Sequence, residues 1–310
     1  MAFKVLASDP LDKTAVAAMR DAGLDVDERT DLSPQQLLQE IGAYDAIVVR
    51  SATKVRSDVI DAGSRLSLIV RAGVGLDNVD VAYAEEKGIA VRNTPAASSN
   101  SVAELALGHM LSLARRIGRG TVSMTSGRWE KKALKGVEIE GKTLGIVGIG
   151  RIGQALARKA AALGMHVVAH DAYVNASPLP GLVRMVPLNE LLAKSDFVSL
   201  HIPYDPAIGA TIGAEQIAAM KDSAYLINCA RGGVVDEAAL VEALRSGALA
   251  GAALDVFESE PPPLEHPLWE QENVSLTPHI GASTVEAQAR VGQEAARVVI
   301  EFARSVKGGS

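Results

Sequence analysis

Three polar side chains follow three separate apolar runs in the second half of this 310-residue chain. Arg231 follows "YLINCA", Glu260 follows "GAALDVF", and His279 follows "NVSLTP". Ligands of open α/β sheets lie beyond the carboxyl ends of the strands, so we expect the three side chains to converge there. A histidine exchanges protons near neutral pH, a neighbouring glutamate favours its charged form, and an arginine binds a carboxylate through two hydrogen bonds. Together these groups predict hydride transfer on a 2-hydroxy or 2-oxo acid.

Each of these residues also has a structural interpretation. Arg231 could pair with a surface acid, Glu260 could be a solvated loop residue, and His279 could cap a helix or lie in the core. His201, which ends the run "FVSLH", either lines a cofactor cleft or is structural. Cys229 lies in an apolar run without an activating base in its motif, so a buried structural thiol is predicted. The other histidines are predicted to be structural: His109, His166, His170 and His266.

A glycine-rich turn joins an apolar run to an amphipathic run in "TLGIVGIGRIGQALA", residues 143–157. Its glycines have the spacing G-x-G-x-x-G. Gly148 permits the tight turn, Gly150 lets the backbone approach a diphosphate, and Gly153 allows close packing of helix on strand. Amide groups at the helix N-terminus then face the anion. The alternative is a glycine-rich turn that binds nothing.

An acidic residue follows this turn at the distance that a dinucleotide site requires. Asp171 ends the strand-like run "MHVVAHD", close to the roughly 20 residues expected between the glycines and the acid that holds the adenosine ribose. Its carboxylate would repel a 2′-phosphate, so NAD is favoured over NADP. Residues 73–78, "GVGLDN", begin with the same spacing, but Asn78 replaces the third glycine. We interpret this second turn as a backbone cradle for a smaller group.

The elements that must position these residues alternate between strands and helices. Strands are predicted in the first ninety residues at "FKVLAS", "DAIVVR", "LSLIVRAG" and "GIAVRN". A long helix follows at "SSNSVAELALGHMLSLARRI", with a capping box of Ser101 and Glu104. A larger second sheet is predicted from "TLGIVG", "MHVVAHD", "DFVSLHIP", "SAYLINCA" and "LAGAALDVF". The last helix begins at a capping box of Ser283 and Glu286 and runs to about residue 304.

The alternating elements predict an α/β protein with two doubly wound parallel sheets, and the composition agrees with the α/β class. Hydrophobic residues make up 48% of the chain and aromatic residues 4%, which suits aliphatic helices on buried parallel strands. The net charge of −6 and the absence of long basic runs argue against a nucleic-acid partner. One cysteine excludes an internal disulfide and a thiolate-rich metal site, and no metal is expected. No signal peptide or membrane-spanning run is recognised, so we expect a cytoplasmic protein without a membrane partner.

Several motifs in order resemble those of the D-isomer-specific 2-hydroxyacid dehydrogenase family, from about Leu6 to the last helix. They are "VRSATKV", "RAGVGLDNVD", "NTPAASSNSVAELALG", "GIVGIGRIG", "NCARGGVVDEAAL", "GAALDVFESEPP" and "TPHIGAST". The resemblance implies a catalytic triad of Arg231, Glu260 and His279. It also implies an NAD site at Arg151, Ile152, Asp171, Cys229 (through its backbone) and Asp255. Substrate contacts are implied at Arg50, Ser51, and the backbone of Val74 and Gly75.

The resemblance further implies how the chain is organised and what it does. A flavodoxin-like substrate-binding domain is expected at 1–96 and 284–310, and a Rossmann NAD-binding domain at 97–283. A homodimer or higher homo-oligomer is expected through the NAD-binding domain. The leading expectation is oxidation of D-3-phosphoglycerate to 3-phosphohydroxypyruvate, the first step of serine biosynthesis, with Arg50 and Ser51 as phosphate contacts. A glyoxylate or hydroxypyruvate reductase, another D-2-hydroxyacid dehydrogenase, and an NAD(H)-sensing scaffold are the alternatives.

Overall fold

The computed structural model describes residues 2–308, and the chain divides into two compact units. The first unit comprises Met1–Ser98 with Ala282–Ser310, and the second comprises Ser99–Gly281. Met1 and residues 309–310, which fall in the predicted segments 1–96 and 284–310, lie outside the described residues. Each unit is an α/β fold with a wholly parallel sheet, so the predicted fold class is confirmed.

The first unit is built on a five-stranded sheet in the order β2-β1-β3-β4-β5. Its strands are β1 (Lys4–Ala7), β2 (Asp25–Glu28), β3 (Ala46–Val49), β4 (Leu68–Arg71) and β5 (Ala90–Asn93). Its helices are α1 (Lys13–Asp21), α2 (Pro34–Glu40), α3 (Ser57–Ala62), α4 (Val81–Glu86) and the C-terminal helix (Val285–Gly308), with a 3-10 turn at Ile41–Ala43.

Strand residues of the first unit alternate between two apolar clusters, one on each face of the sheet. Val5 and Val48 join the cluster formed with α1 and the C-terminal helix. Leu6 and Ile47 join the cluster formed with α2, α3 and α4. These four side chains are fully buried. Burial on both faces explains why the strands read as continuous apolar runs rather than as alternating ones.

The second unit is built on a seven-stranded sheet in the order β12-β11-β10-β9-β6-β7-β8. Its strands are β6 (Thr143–Val147), β7 (His166–His170), β8 (Val183–Met185), β9 (Phe197–Leu200), β10 (Tyr225–Asn228), β11 (Gly251–Leu254) and β12 (Val274–Leu276). Its helices are α5 (Ser99–Arg115), α6 (Ile117–Thr125), α7 (Arg151–Ala162), α8 (Leu188–Lys194), α9 (Ala214–Ala218) and α10 (Glu237–Ser246), with a 3-10 turn at Pro267–Glu270.

The strand order of the second unit reverses at β6, which lies between β7 and β9. Leu144 and Ile146 of β6 pack in a cluster with residues of α5 and α7. Val147 packs in the opposite cluster, with residues of α8, α9 and α10. Helices therefore cover both faces, and the loops after β6 and β9 leave toward opposite sides of the sheet. Such a reversal point opens a crevice at the carboxyl edge of the strands.

Three local predictions are corrected by the structure. α5 begins at Ser99, so Ser101 lies within the helix and is not its N-cap. The predicted long helix stops at Arg115, because Arg116 has a φ of 52° and α6 begins after it. The C-terminal helix is capped by Thr284, whose Oγ1 accepts from the backbone N of Ala287 (3.1 Å), rather than by Ser283. Because the cap lies one residue further along the chain, the amide that it satisfies is that of Ala287 rather than that of Glu286.

The described residues contain neither a membrane-spanning helix nor a cluster of metal ligands. Within residues 2–308, no helix combines the length and the apolar character needed to cross a bilayer. Over the same residues, no group of three or more histidine, cysteine, aspartate or glutamate side chains is arranged to hold a metal ion.

Candidate active site

The turn between β6 and α7 has no room for side chains at two of its glycines. Gly148 has a φ of 95°, which favours glycine, and a Cβ there would lie 2.5 Å from the carbonyl oxygen of His201. A Cβ on Gly153, in the first turn of α7, would overlap the carbonyl oxygen of Gly148. The helix therefore starts directly against the end of the strand.

The remaining glycine of the turn, Gly150, faces open space. Gly150 is the N-cap of α7, and a Cβ there would meet no protein atom within 4 Å. Its φ of −68° and ψ of −163° are available to any residue. No described side chain caps α7, whereas Asp236 caps α10 by accepting from the backbone N of Ala239 (3.0 Å). Free space beside uncapped amides is the environment that a diphosphate requires.

Asp171 follows β7 at the strand end next to this turn. One carboxylate oxygen accepts from the backbone N of Ile149 (2.9 Å), inside the glycine turn. The other accepts from the backbone N of Tyr173 (2.9 Å) and Val174 (3.2 Å). The side chain is half-buried, so a negative charge is fixed beside the turn and remains accessible. Contact with an adenosine ribose at Asp171 stays a prediction.

Arg231 follows β10 in a loop that packs against the loop after β11. Asn228 donates from Nδ2 to the carbonyl oxygen of Arg231 (2.9 Å), and Arg231 donates from Nη1 to the carbonyl oxygen of Ala230 (2.7 Å). Gly232 approaches the carbonyl group of Phe257 so closely that a Cβ would overlap it. The motif "ARGG" thus brings the arginine next to the segment that carries Glu260.

Glu260 and His279 form a direct pair. His279 Nδ1 lies 2.6 Å from Glu260 Oε2, and Glu260 Oε1 accepts from the backbone N of Phe257 (3.2 Å). The His279 side chain is 47% exposed and that of Glu260 is 38% exposed, so the pair faces solvent. His279 also has a φ of 53°, in the left-handed region that L-residues rarely adopt. Its backbone N donates to the carbonyl oxygen of Asp255 (2.8 Å).

The charges of this cluster shift its pKa values in opposite directions. The hydrogen bond to Glu260 raises the pKa of His279 above its usual range, and the charges of Glu260 and Asp255 add to the increase. Burial alone would raise the pKa of Glu260, but the hydrogen bond and charge of His279 outweigh it and hold this pKa low. The positive charge of Arg231 lowers both pKa values. These two pKa shifts therefore favour a protonated histidine beside an ionised carboxylate.

Asp255, which directly follows β11, is almost fully buried and holds the loop that carries His279. Its Oδ1 accepts from Thr277 Oγ1 (2.7 Å) and from the backbone N of Ile280 (2.8 Å). Its Oδ2 accepts from the backbone N of Gly281 (2.8 Å). The carboxylate is thus occupied by the protein itself. The cofactor contact that the resemblance implies at Asp255 stays a prediction.

His201 and Cys229 lie at the ends of β9 and β10. His201 Nε2 lies 2.9 Å from Ser199 Oγ, and burial lowers the pKa of His201 to about 4, so the ring is neutral. Among the described residues, its buried Nδ1 has no hydrogen-bond partner. Cys229 is buried, and burial raises the pKa of its thiol far above the usual range. A thiol of this kind is unreactive.

The predicted substrate contacts Arg50 and Ser51 lie in the first unit, in the loop after β3. The buried carboxylate of Asp9 accepts from the backbone N of Arg50 (2.5 Å) and from Thr53 Oγ1 (2.8 Å). Asn78 donates from Nδ2 to the carbonyl oxygens of Arg50 (2.9 Å) and Thr53 (2.6 Å). Asn78, at the position expected for a third glycine, therefore fixes this loop. Ser51 is exposed.

Val74 and Gly75, the other predicted substrate contacts, lie in the loop after β4. Asn93 donates from Nδ2 to the carbonyl oxygen of Val74 (2.6 Å) and so fixes the loop. The side chain of Arg71 lies where a Cβ of Gly73 would be, which explains why this position is glycine. Arg71 was not among the predicted site residues. The sequence feature that could have drawn attention to Arg71 is a charged residue at the end of the otherwise apolar strand "LIVR".

Arg50 also lines a cavity of about 220 Å³ in the first unit. The loop after β1 and the start of the C-terminal helix supply the other walls, which consist of Pro10, Leu11, Asp12, Lys13, Gln288, Val291 and Gly292. Arg50 Nη1 donates to the carbonyl oxygen of Pro10 (3.4 Å). Its guanidinium is thus turned toward the loop after β1.

The chain belongs to the D-isomer specific 2-hydroxyacid dehydrogenase family. Residues 107–281, more than half of the chain, match the description "D-isomer specific 2-hydroxyacid dehydrogenase, NAD binding domain". The glycine turn, the open helix N-terminus and the anchored Asp171 lie within the matched residues and fit a dinucleotide. The prediction of NAD as the cofactor is confirmed by this match.

Relatives with different names resemble the chain to a similar degree. The chain is 51% identical over 295 residues to a hydroxypyruvate reductase of Thermotoga maritima, covering 94% of this chain and 95% of the relative. It is 48% identical over 291 residues to a D-3-phosphoglycerate dehydrogenase of Methanocaldococcus jannaschii, covering 93% of this chain and 55% of the relative. The chain therefore spans little more than half the length of that dehydrogenase.

A solved structure shares the fold. The crystal structure of D-lactate dehydrogenase from Aquifex aeolicus, complexed with NAD and lactic acid, superimposes with a TM-score of 0.84 at 31% identity. The superposition covers 97% of this chain and 96% of that chain.

Proposed function

We propose that this chain catalyses the NAD-dependent oxidation of D-3-phosphoglycerate to 3-phosphohydroxypyruvate. The observation that carries the proposal is the pair of His279 and Glu260, 2.6 Å apart, with the charge of Arg231 acting on both. Membership of the family supports the class of reaction. The name of the Methanocaldococcus jannaschii relative supports the substrate.

The roles of the three residues follow from their chemistry. NAD, when bound, supplies the acceptor for the hydride that leaves the substrate carbon. The hydroxyl proton passes to His279 through Nε2, because Nδ1 is held by Glu260. Glu260 stabilises the imidazolium that results, and Arg231 binds the substrate carboxylate and polarises the developing carbonyl group. In the reverse direction the same imidazolium returns the proton.

We further propose that the first unit is the substrate-binding domain and that Arg50 and Ser51 bind the substrate phosphate. Arg50 carries the positive charge, and the bonds of its loop to Asp9 and Asn78 fix the backbone there. The backbone at Val74 and Gly75, fixed by Asn93, is proposed to contact the rest of the substrate. A side chain on a fixed backbone segment loses less freedom when it binds an anion than one on a loop that must first be ordered.

The experiment compares phosphorylated and unphosphorylated substrates. The rate of NADH formation is measured with D-3-phosphoglycerate and with D-glycerate, and the reverse rates with 3-phosphohydroxypyruvate and hydroxypyruvate. The proposal predicts a higher kcat/KM for the phosphorylated member of each pair. Arg50→Ala should remove this preference, whereas Arg92→Ala, which changes an exposed arginine of β5, should retain it. Equal kcat/KM values in the unaltered protein would refute the substrate assignment.

The second candidate is a hydroxypyruvate reductase. The relative with that name covers the chain nearly end to end, at 95% of its own length. The two candidates share every proposed catalytic residue, so only the substrate comparison separates them. A higher kcat/KM for hydroxypyruvate than for 3-phosphohydroxypyruvate would establish the reductase.

We also propose that the chain forms a homodimer through its second unit. Large apolar side chains are exposed on α6 and just after it, with Val122 at 60%, Met124 at 56% and Trp129 at 78% exposure. Several large exposed apolar side chains within one short segment are typical of association surfaces. Light scattering after gel filtration should give a dimer mass, and Trp129→Glu should reduce it to that of a monomer. A monomer in the unaltered protein would refute this proposal.

A further inference from the structure

A buried carboxylate outside the triad holds the loop that carries Glu260. Glu237 is the first residue of α10, and its side chain is 10% exposed. Its Oε1 accepts from the backbone N of Glu258 (2.7 Å), and its Oε2 lies 2.8 Å from Nε2 of His266. In return, Glu258 Oε1 accepts from the backbone N of Glu237 (3.2 Å). Both oxygens of this carboxylate are therefore engaged.

The imidazole of His266 is fixed in one tautomer by its neighbours. Its Nδ1 accepts from the backbone N of Leu268 (3.3 Å) at the start of the 3-10 turn. Nε2 must then carry the ring proton and donate it to Glu237. The ring also packs against Phe257 and Trp269, with centroid separations of 6.2 Å and 5.1 Å, and its side chain is 10% exposed. Glu237 thus meets a donor that cannot rotate away.

These bonds reach the catalytic pair through adjacent peptide groups. Glu237 fixes the amide of Glu258, and the neighbouring amide of Phe257 donates to Glu260 Oε1 (3.2 Å). The other oxygen of Glu260 holds His279. A shift of the loop at Glu258 therefore changes the orientation of Glu260 and with it the strength of its bond to His279.

We propose that Glu237 and His266 are positioning residues that hold Glu260 against His279. Their importance for catalysis rests on the proposed function, but their effect on the pair can be measured without turnover. Replacing Glu237 with Gln removes one acceptor and places an NH₂ group against a fixed donor, either the amide of Glu258 or the Nε2–H of His266. The loop must then move to relieve the clash.

The test is the titration of His279 by NMR in protein labelled with ¹³C-histidine. The chain has six histidines, and His279→Gln identifies the signal of His279. The charged groups that act on this ring are Glu260, Asp255 and Arg231. Because a weaker bond to Glu260 stabilises the imidazolium less, Glu237→Gln should lower the pKa of His279 by roughly half a unit to one unit. Glu242→Gln, exposed on the same helix, is the matched control and should leave it unchanged.

Two changes at His266 test the same chain of contacts from the other side. His266→Leu removes the donor and should lower the pKa of His279 as Glu237→Gln does. His266→Gln retains a donor and should restore most of the original value. Thermal unfolding checks that each variant is folded, and His266→Leu decides the matter should Glu237→Gln not fold. An unchanged His279 titration in the folded variants would overturn the proposal.

Turnover separates this inference from the proposed function. If the unaltered protein oxidises D-2-hydroxy acids, Glu237→Gln should lower kcat with the KM for NAD unchanged. The pH profile of the Glu237→Gln variant's rate should also show the lower pKa that NMR gives for His279. If the unaltered protein shows no turnover, the proposed function fails, and the NMR titrations still decide whether Glu237 and His266 position Glu260.

Discussion

Replacing Gly150 with alanine should weaken NAD binding and leave the fold intact. A methyl group at this position meets no protein atom within 4 Å, and the backbone there suits any residue. The only space it takes is the space beside the uncapped amides of α7. The variant therefore tests whether the ligand needs that space.

The magnitude follows from what the methyl group would displace. A phosphate oxygen that accepts from a helix amide makes a charged hydrogen bond, worth about 1.5–3 kcal/mol. Loss of one such bond raises the Kd for NAD by roughly 10- to 150-fold. The free energy of unfolding should change by less than about 1 kcal/mol, because the gain of about 0.4–1 kcal/mol from an unstrained alanine opposes the preference of N-caps for glycine over alanine.

Gly153→Ala is the matched control, because its Cβ overlaps the carbonyl oxygen of Gly148. Relief of this overlap requires α7 to move from β6, at a cost of about 1–3 kcal/mol of stability. The Kd for NADH is measured by its fluorescence and the free energy of unfolding by urea titration. The reasoning is refuted if Gly150→Ala binds the dinucleotide as tightly as the unaltered protein, or if it loses as much stability as Gly153→Ala.

Three further outcomes are expected. His279→Ala should lower kcat by about two to four decades, the usual contribution of a general acid and base, with the Kd for NADH unchanged; an unaltered kcat would remove this histidine from the mechanism. Asp171→Ala should reduce the preference for NAD over NADP, because the repulsion of a 2′-phosphate is lost; an unchanged ratio of kcat/KM for the two cofactors would contradict the assignment. Glu260→Gln should lower the raised pKa of His279. Since oxidation requires the neutral imidazole, the rate of oxidation increases with pH through the pKa of His279. The acidic limb of the pH profile should therefore move to lower pH in this variant. An acidic limb that stays in place would show that the pair of His279 and Glu260 does not cause it.

The parts of the fold that depend on local pattern were predictable from the sequence. The glycine spacing predicts the strand-to-helix turn because the backbone there has no room for a side chain at Gly148 or Gly153. The buried strands of both sheets read as apolar runs. β2 ("DVDE") and β8 ("VRM") do not, because the first has a single buried residue and the second has only three residues. Short strands of this kind form because a neighbouring strand offers hydrogen bonds, which no local pattern records.

Contacts between distant loops were not predictable. In the sequence, Asn78 is only a departure from the glycine spacing, whereas in the structure it is hydrogen-bonded to the carbonyl oxygens of Arg50 and Thr53. The sequence predicts a structural role for His266 but not its partner, because the bond to Glu237 joins residues that lie 29 positions apart. The convergence of polar residues at strand ends follows from the general geometry of parallel sheets. The particular pairs depend on how each loop folds back.

Because the backbone of His279 is left-handed, thermal stability and the proposed proton transfer favour different residues at this position. A side chain at a φ of 53° costs about 1–2 kcal/mol that glycine would not incur, and the bonds from Asp255 to the same loop offset it. Selection of variants for heat resistance alone would therefore favour glycine at position 279, since that change releases the strain. A variant selected in this way would lack the imidazole that we propose accepts the substrate proton. A variant engineered for higher thermal stability must therefore keep histidine at position 279 and carry its stabilising substitutions at other positions.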